Sequence, residues 1–460
     1  MNVSELRATF ALGSIFALRM LGLFMIVPVF AIYGQGYTGA TPALIGLAIG
    51  VYGLSQAILQ IPVSLLADRT ARKPLIVIGL LIFALGGAIA AMSTSIWGVI
   101  LGRAIAGAGA ISAVVMALLA DVTREQHRSK AMAAMGMSIG LSFIIAFSLG
   151  PFLTKHVGLS GLFWLTSIAG ILAIGLLAVV PSPLRLLKQN PLGFGVQLKS
   201  VLVLPDLNRL HVSIFALHLV MTAAFVMLPQ QLVRYAHIPV EEHGWLYLPL
   251  LLLGAVMTIP AIIVAEVKRR MRRIFIGSVA LVVMSLAVLT ADHTRVGLLL
   301  GLGLFFIAFN LLEAMIPSWL AKRAPAAAKA TAMGINASSQ FLGAFAGGVL
   351  GGQLLTFATP QLSWAILAAI ALVWFLIIVG LNSPPYLSSL SIRLPEFPHG
   401  TQHVNAKMND WAACLLEVGG VEDVVVLPDQ HVAYLKVDKK KMSDTSREQL
   451  SQLVGQPVVF

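Results

Sequence analysis

Twelve apolar runs, each about 20 residues long, leave this chain few folds to adopt. They fall at roughly 10–33, 43–66, 74–93, 96–120, 130–154, 161–181, 210–234, 243–265, 274–291, 296–320, 330–356 and 362–382. A helix of about 20 apolar residues crosses the hydrocarbon core of a bilayer, where each backbone polar group must be satisfied inside the helix. Charged residues are only 11% of the 460, against about 25% in soluble domains. The expected class is an all-α membrane protein with the lipid bilayer as its surroundings. The first run is no signal peptide: it is long, Arg19 interrupts it, and it lacks a small-residue cleavage site.

The runs divide six and six, and the halves repeat. Ile61-Pro62-Val-Ser-Leu-Leu-Ala-Asp68-Arg69-Thr-Ala-Arg72-Lys73 returns as Ile259-Pro260-Ala-Ile-Ile-Val-Ala-Glu266-Val-Lys268-Arg269-Arg270. Pro62 and Pro260 are 198 positions apart, as are Asp68 and Glu266, Gly46 and Gly244, Gly79 and Gly277, Gly136 and Gly334, Phe143 and Phe341, and Gly150 and Gly348. Two pseudosymmetric six-helix bundles are expected, over 1–182 and 209–382, with 183–208 as a basic, proline-bearing loop between them.

The net charge of +12 raises the question of a nucleic-acid partner, but the distribution argues against one. Lys and Arg gather in the loops after runs two, four, six, eight and ten, while the opposite loops hold little beyond Lys155, Arg234 and Arg295. That alternation is the positive-inside pattern and places both termini in the cytoplasm. The single Cys414 excludes an intrachain disulfide and a multi-cysteine metal site.

After Asn382-Ser-Pro384-Pro385 the composition changes. Ser388–Leu394 alternates like a strand. Asn405–Val418 reads as a helix with Trp411, Leu415 and Val418 on one face. Val421–Leu427 and His431–Val437 read as strands joined by a turn at Pro428-Asp429-Gln430. Ser443–Leu453 reads as a helix capped by Ser443, and 457–460 as a last strand. Strand-helix-strand-strand-helix-strand is the ferredoxin-like α+β order, expected over 383–460 with its linker. Such domains that bind metal carry C-x-x-C after the first strand. Here His399, His403 and His431 stand without cysteine, so no metal is expected, and a ligand-binding, regulatory or self-association role is.

Ser64-Leu-Leu-Ala-Asp68-Arg69-Thr-Ala71-Arg72-Lys73 resembles the signature G-x-L-a-D-R-x-G-R-K of the major facilitator superfamily. Both family glycines are replaced, by Ser64 and Ala71; the acidic and basic positions are intact. Arg103-Ala-Ile-Ala106-Gly107-Ala-Gly109 resembles the family's R-x-x-q-G-x-g element, with Ala106 in place of Gln. Gly136, Gly140 and Gly150-Pro151 resemble the Gly-Pro element of its drug–proton antiporters, without the glycines expected after the proline. Leu18-Arg19-Met20-Leu-Gly22, Tyr52-Gly-Leu-Ser-Gln56, Asp121-Val-Thr-Arg124-Glu-Gln and Phe309-Asn310-Leu-Leu-Glu313-Ala, with the tail, are similar to a bacterial inner-membrane branch of that superfamily.

The resemblance implies a secondary transporter driven by the proton gradient, with no other cofactor. It implies a cytoplasmic switch in which Asp68 holds the outward-open state against a helix N-terminus of the other half. Arg69, Arg72, Lys73, Asp121, Arg124, Arg128 and Glu266 belong to that switch, and Gly107, Gly136, Gly140, Gly150 and Pro151 to helix packing.

The residues themselves point the same way. A charge inside an apolar span is costly and normally faces a polar cavity or a partner. Arg19, Arg103, His218 and Glu313 are such residues, and Glu313 is the acid that lies well inside a run. Glu313 is the candidate proton carrier, against a structural pairing with Asn310 or a base. Arg19 and Arg103 keep their charge and are candidates for an anionic substrate or for tuning an acid. His218 titrates near neutral pH or is a polar packer. Gln56, Gln60, Asn336 and Gln340 line the cavity or bond helix to helix.

No phosphate loop, H-E-x-x-H helix or nucleophile elbow is present, so no enzyme reading survives. Proton-coupled export of a small, amphipathic substrate is expected. Transport of a sugar or anionic metabolite is the alternative, and a membrane sensor signalling through the tail is the reading from another class.

Overall fold

The computed structural model describes residues 1–67, 70–181, 194–325, 328–384, 386, 388–393, 403–427, 432–438 and 441–454. They form two compact units, Met1–Asn382 and Ser383–Phe460.

In the first unit the apolar runs become helices, with three departures from the simple count. α1 (Val3–Phe24) starts well before residue 10. Asn2 and Glu5 form a capping box: the Asn2 side chain accepts from the Glu5 N–H at 2.8 Å, and the Glu5 carboxylate accepts from the Asn2 N–H at 2.8 Å. The run then divides, because Pro28 has no N–H to continue a helix and instead sits in the first turn of α2 (Val27–Tyr33).

After α3 (Pro42–Ala67) and α4 (Arg72–Met92), the fourth run is also divided, into α5 (Ile96–Ala108) and α6 (Ser112–Val122). α7 (Glu125–Leu177) has 53 residues, about 80 Å of helix, far more than a bilayer's ~30 Å. Gly158, at φ 68° and ψ −180°, breaks it in a conformation open mainly to glycine. Eleven continuous stretches among the described residues are long and apolar enough to span a membrane, and the one containing Gly158 holds two of the twelve runs.

α8 (Phe194–Leu202) follows, and the second half is α9 (Pro205–Arg234), α10 (His243–Val267), α11 (Met271–Ala291), α12 (Arg295–Arg323), α13 (Lys329–Phe357) and α14 (Pro360–Val379).

The halves meet along two seams. On α3 and α13 glycines face each other so closely that a Cβ on Gly46 would lie 2.2 Å from the Gly348 carbonyl oxygen. Farther along, Gly53 lies under Phe341, and the Ser338 hydroxyl donates to the Ala57 carbonyl at 3.3 Å. On α7 and α10, Gly244 sits against the Ser148 backbone. These contacts begin at the end poor in Lys and Arg, the neutral end. Seven and eleven residues back from Ser148, on the same face of α7, Leu141 and Met137 are 58% and 69% exposed. The halves are packed together at the neutral end and diverge toward the basic end.

The second unit holds β1 (Ser388–Arg393), α15 (His403–Glu417), β2 (Val421–Leu427), β3 (Val432–Val437) and α16 (Asp444–Val454). Both β1 and β2 pair antiparallel with β3, giving the order β1-β3-β2. Alternate strand residues Ile392, Ala433, Leu435 and Val437 are buried against Leu415, Val418 and Leu450. Ser443 caps α16 by accepting from the Ser446 N–H at 3.1 Å. The turn at 428–430, the last strand at 457–460, and His399 and His431 lie outside the described residues.

Candidate functional site

Midway along the second half, three helices bring polar side chains to one point. Gln340 on α13 donates through Nε2 to Glu313 Oε1 on α12 at 3.1 Å, and the same nitrogen lies 2.8 Å from His218 Nε2 on α9. His218 Nδ1 lies 3.2 Å from the Ile214 carbonyl oxygen. The set is satisfied when His218 carries its proton on Nδ1 and accepts at Nε2, so that one amide nitrogen bridges imidazole and carboxylate. Glu313 Oε2 lies 3.7 Å from His218 Nε2 and has no hydrogen bond of its own among the described residues. His218 is buried, whereas a third of the Glu313 side chain is exposed. Glu313 is therefore the less enclosed side chain of the pair, although its Oε2 atom is itself buried.

Aromatic rings flank the cluster and cross between the halves. Phe309 stacks at 5.4 Å on Phe143 of α7 and lies 5.8 Å from the His218 ring, while Phe147 meets Phe225 at 4.7 Å. The result is an apolar, polarisable wall beside a single acid, suited to an amphipathic molecule.

The first half has a different centre. Arg19 on α1 is 1% exposed. It donates to Ser112 Oγ at 2.7 Å and to Gln56 Oε1, and Gln56 in turn donates to Gln60 Oε1 at 3.0 Å. Tyr52 and Phe83 lie about 6 Å from its guanidinium carbon. Arg103 on α5 donates to the carbonyls of Ala48 and Ile49 on α3. Both guanidiniums are sealed in the bundle and bind one helix to another.

At the basic end, Arg72 pairs with Asp121 at 2.8 Å and Arg124 with Glu5 at 2.9 Å. The Lys73 ammonium donates to the Val180 carbonyl at 2.5 Å. In the second half Glu266 pairs with Lys322, and Asp206 accepts from Arg323 at 2.7 Å, from Arg209 and from Asn382. Asp68 and Arg69, with the Arg128 side chain, lie outside the described residues.

Other expected positions fall elsewhere. Asn310 donates to the Phe306 carbonyl at 2.8 Å and packs beside Gly254, so it serves its own helix and its neighbour. Asn336 is buried next to His211. Gly107 and Gly150 do sit at tight crossings, against Tyr52 and Met25, with Pro151 beside the latter inside α7. Gly136 and Gly140 do not: a Cβ on either would meet nothing within 4 Å. They lie on the exposed stretch of α7 where the halves diverge, so packing is not their role in this arrangement.

Glu5, Asp206 and the Phe147–Phe225 contact escaped sequence reasoning. Asn2-x-x-Glu5 is a capping-box spacing and was the available signal for the first. Asp206 and the aromatic contact have no local signal, since their partners lie far away in sequence.

Comparison with known proteins matches the Major Facilitator Superfamily pattern at residues 12–348 and 210–398. The inner membrane transport protein YajR of Escherichia coli is 44% identical over 459 residues, 99% of each chain. The multidrug resistance protein MdtH of Aeromonas hydrophila is 24% identical over 390 residues, 82% of this chain and 96% of that one. The crystal structure of the human organic anion transporter MFSD10 superposes with a TM-score of 0.64 at 19% identity, covering 82% of this chain and all of that one, a likeness of fold.

Proposed function

The chain belongs to the major facilitator superfamily and is a multi-pass inner-membrane transporter, and from that premise we propose that it exports small amphipathic molecules in exchange for protons. The observation that carries this reading is the His218–Gln340–Glu313 cluster beside the inter-half aromatic wall. An acidic side chain placed within a span marks a proton pathway, and the MdtH-type relatives make a drug-like cargo the class to test first.

The bonding pattern suggests how a proton is felt. A proton arriving at His218 Nε2 removes the acceptor that Gln340 uses there, and the new imidazolium turns to the Glu313 carboxylate. Gln340 then loses one of its two partners and keeps Glu313 Oε1. It sits on α13 next to Phe341 and two residues from Ser338, both part of the seam with α3. Protonation is thereby coupled to the helix that holds the neutral end shut, the element needed for alternating access between two repeats. With the basic end cytoplasmic by the positive-inside pattern, the described arrangement is open inward, ready to load cargo for export.

An anion carrier is less well served, because Arg19 and Arg103 are buried and their guanidiniums are bonded to Ser112, Gln56 and the α3 backbone. We read both as positioning residues. The Asp68 turn keeps its proposed role as a switch, and the tail is read as ferredoxin-like from its β1-β3-β2 order.

The test uses proteoliposomes with an imposed pH gradient and ethidium as the probe cargo. Wild type should move ethidium and protons in opposite directions, each flux depending on the other. Glu313→Gln should lower gradient-driven flux about 100-fold, the scale of losing one proton-transfer group. Full flux in that variant defeats the assignment. Flux unaffected by the gradient in wild type defeats proton coupling altogether.

A further inference from the structure

A groove of about 550 Å³ opens at the basic end of the first half. It forms where the first turns of α1, the start of α4 and the residues after α7 come together. Val3, Ser4, Arg7, Lys73, Val179 and Val180 line it, and no carboxylate is among its described lining residues. Lys73 spends one N–H on the Val180 carbonyl and keeps two more. Arg7 brings a planar fork of donors suited to phosphate oxygens.

What surrounds these cations decides between a free anion and a lipid. Arg7 lies on a stripe of α1 with Val3, Leu6 and Phe10, which are 76%, 50% and 71% exposed. Spacings of three and four put them on one helix face. In a bilayer such a face meets acyl chains. Val179, half exposed, forms the other wall. Arg7 is only about 6 Å along α1 from Val3, the depth of a headgroup region rather than of the hydrocarbon. Two cations thus face a groove whose rim is apolar and turned outward, at the level where phosphates lie.

We propose that this groove binds the phosphate headgroup of an anionic phospholipid, with the acyl chains running along Leu6, Phe10 and Val179. Recognition is by charge and hydrogen bonding to the phosphate, with long side chains reaching the interface from an apolar face. The site needs only the membrane placement of the helices and is independent of the transport reading.

Native mass spectrometry of the full-length protein in detergent, titrated with phosphatidylglycerol, tests it. Phosphatidylcholine and inorganic phosphate serve as the comparison probes. Wild type should retain phosphatidylglycerol in preference to phosphatidylcholine, and inorganic phosphate should not displace it. Arg7→Gln should weaken that binding roughly five-fold, the loss of one interfacial cation. Arg7→Lys should recover most of the loss, which separates a charge effect from damage to the fold. Arg234→Gln, at the opposite end, should leave binding unchanged. Equal retention of phosphatidylglycerol by Arg7→Gln and wild type overturns the proposal. So does equal retention of phosphatidylcholine, and displacement by inorganic phosphate would reduce the groove to a simple anion site.

Discussion

At the scale of the residue, one amide ties together two groups that the chain keeps 95 positions apart. Gln340 is bonded to both His218 and Glu313. Replacing it with Leu leaves each of them short of a partner in a largely apolar setting. Gln340→Leu should lower stability by about 1–3 kcal/mol, read as a fall in melting temperature in detergent, and should make gradient-driven flux less sensitive to pH. Glu5 makes a comparable case at the basic end. Its carboxylate caps α1 and receives Arg124, and it is buried. Glu5→Ala should destabilise by a similar 1–3 kcal/mol in the same melting experiment, while Arg7→Ala on the neighbouring exposed stripe should change little. Arg19 and Glu313 were legible in the sequence, because a charge interrupting an apolar run stands out. Gln56 and Gln340 were legible as cavity or helix-bonding residues, but not which group each would bond. Ser112 is an ordinary polar residue whose importance arises only when distant helices bring it near.

At the scale of the element, the α3–α13 seam holds the two halves in contact at the neutral end. Backbones approach there because glycine has no Cβ, and packing between membrane helices depends on such close approach. A Cβ on Gly348 would fall 2.6 Å from the Gly46 carbonyl oxygen. Gly348→Leu should therefore hold the neutral ends apart. In a protein whose exposed Cys414 has been replaced by Ser, a cysteine at Phe341 should then react faster with a water-soluble maleimide, and transport should stop. Unchanged labelling would mean that the seam yields by another route. α7 makes the same point about glycine through backbone shape. Gly158→Ala forces a side chain into positive φ, at a cost of about 1–2 kcal/mol, and should lower the melting temperature without altering the cavity. The apolar pattern located these elements well. It separated the runs on either side of Gly158 but did not resolve the breaks at Pro28 and Gly109, since hydropathy carries no record of backbone direction.

At the scale of the whole molecule, each half ties the turn after its second membrane helix to the end of its fourth with an ion pair. In the first half the base, Arg72, comes from the turn after the second membrane helix, and the acid, Asp121, from the end of the fourth. In the second half the turn supplies the acid, Glu266, and the fourth-helix end the base, Lys322. The two pairs occupy positions that the 198-residue offset does not relate, since Glu266 corresponds to Asp68 and Lys322 to Arg124. The tail has its own core. Residues 383–460 expressed alone should unfold cooperatively, and 1–382 should still insert with its helices intact, as circular dichroism would record. The sequence by itself determined the membrane class, the twelvefold pattern, the duplication and the family, because those depend on hydropathy and on local motifs, which survive without knowledge of contacts. Only the tertiary structure decided that Gln340 joins His218 to Glu313, that Arg103 serves the backbone of α3, that Gly136 and Gly140 face open space, and that the neutral end is the closed one. Each of these depends on which faces of distant helices meet, and in an apolar environment that choice is made by shape and by a few paired polar atoms rather than by any periodicity along the chain.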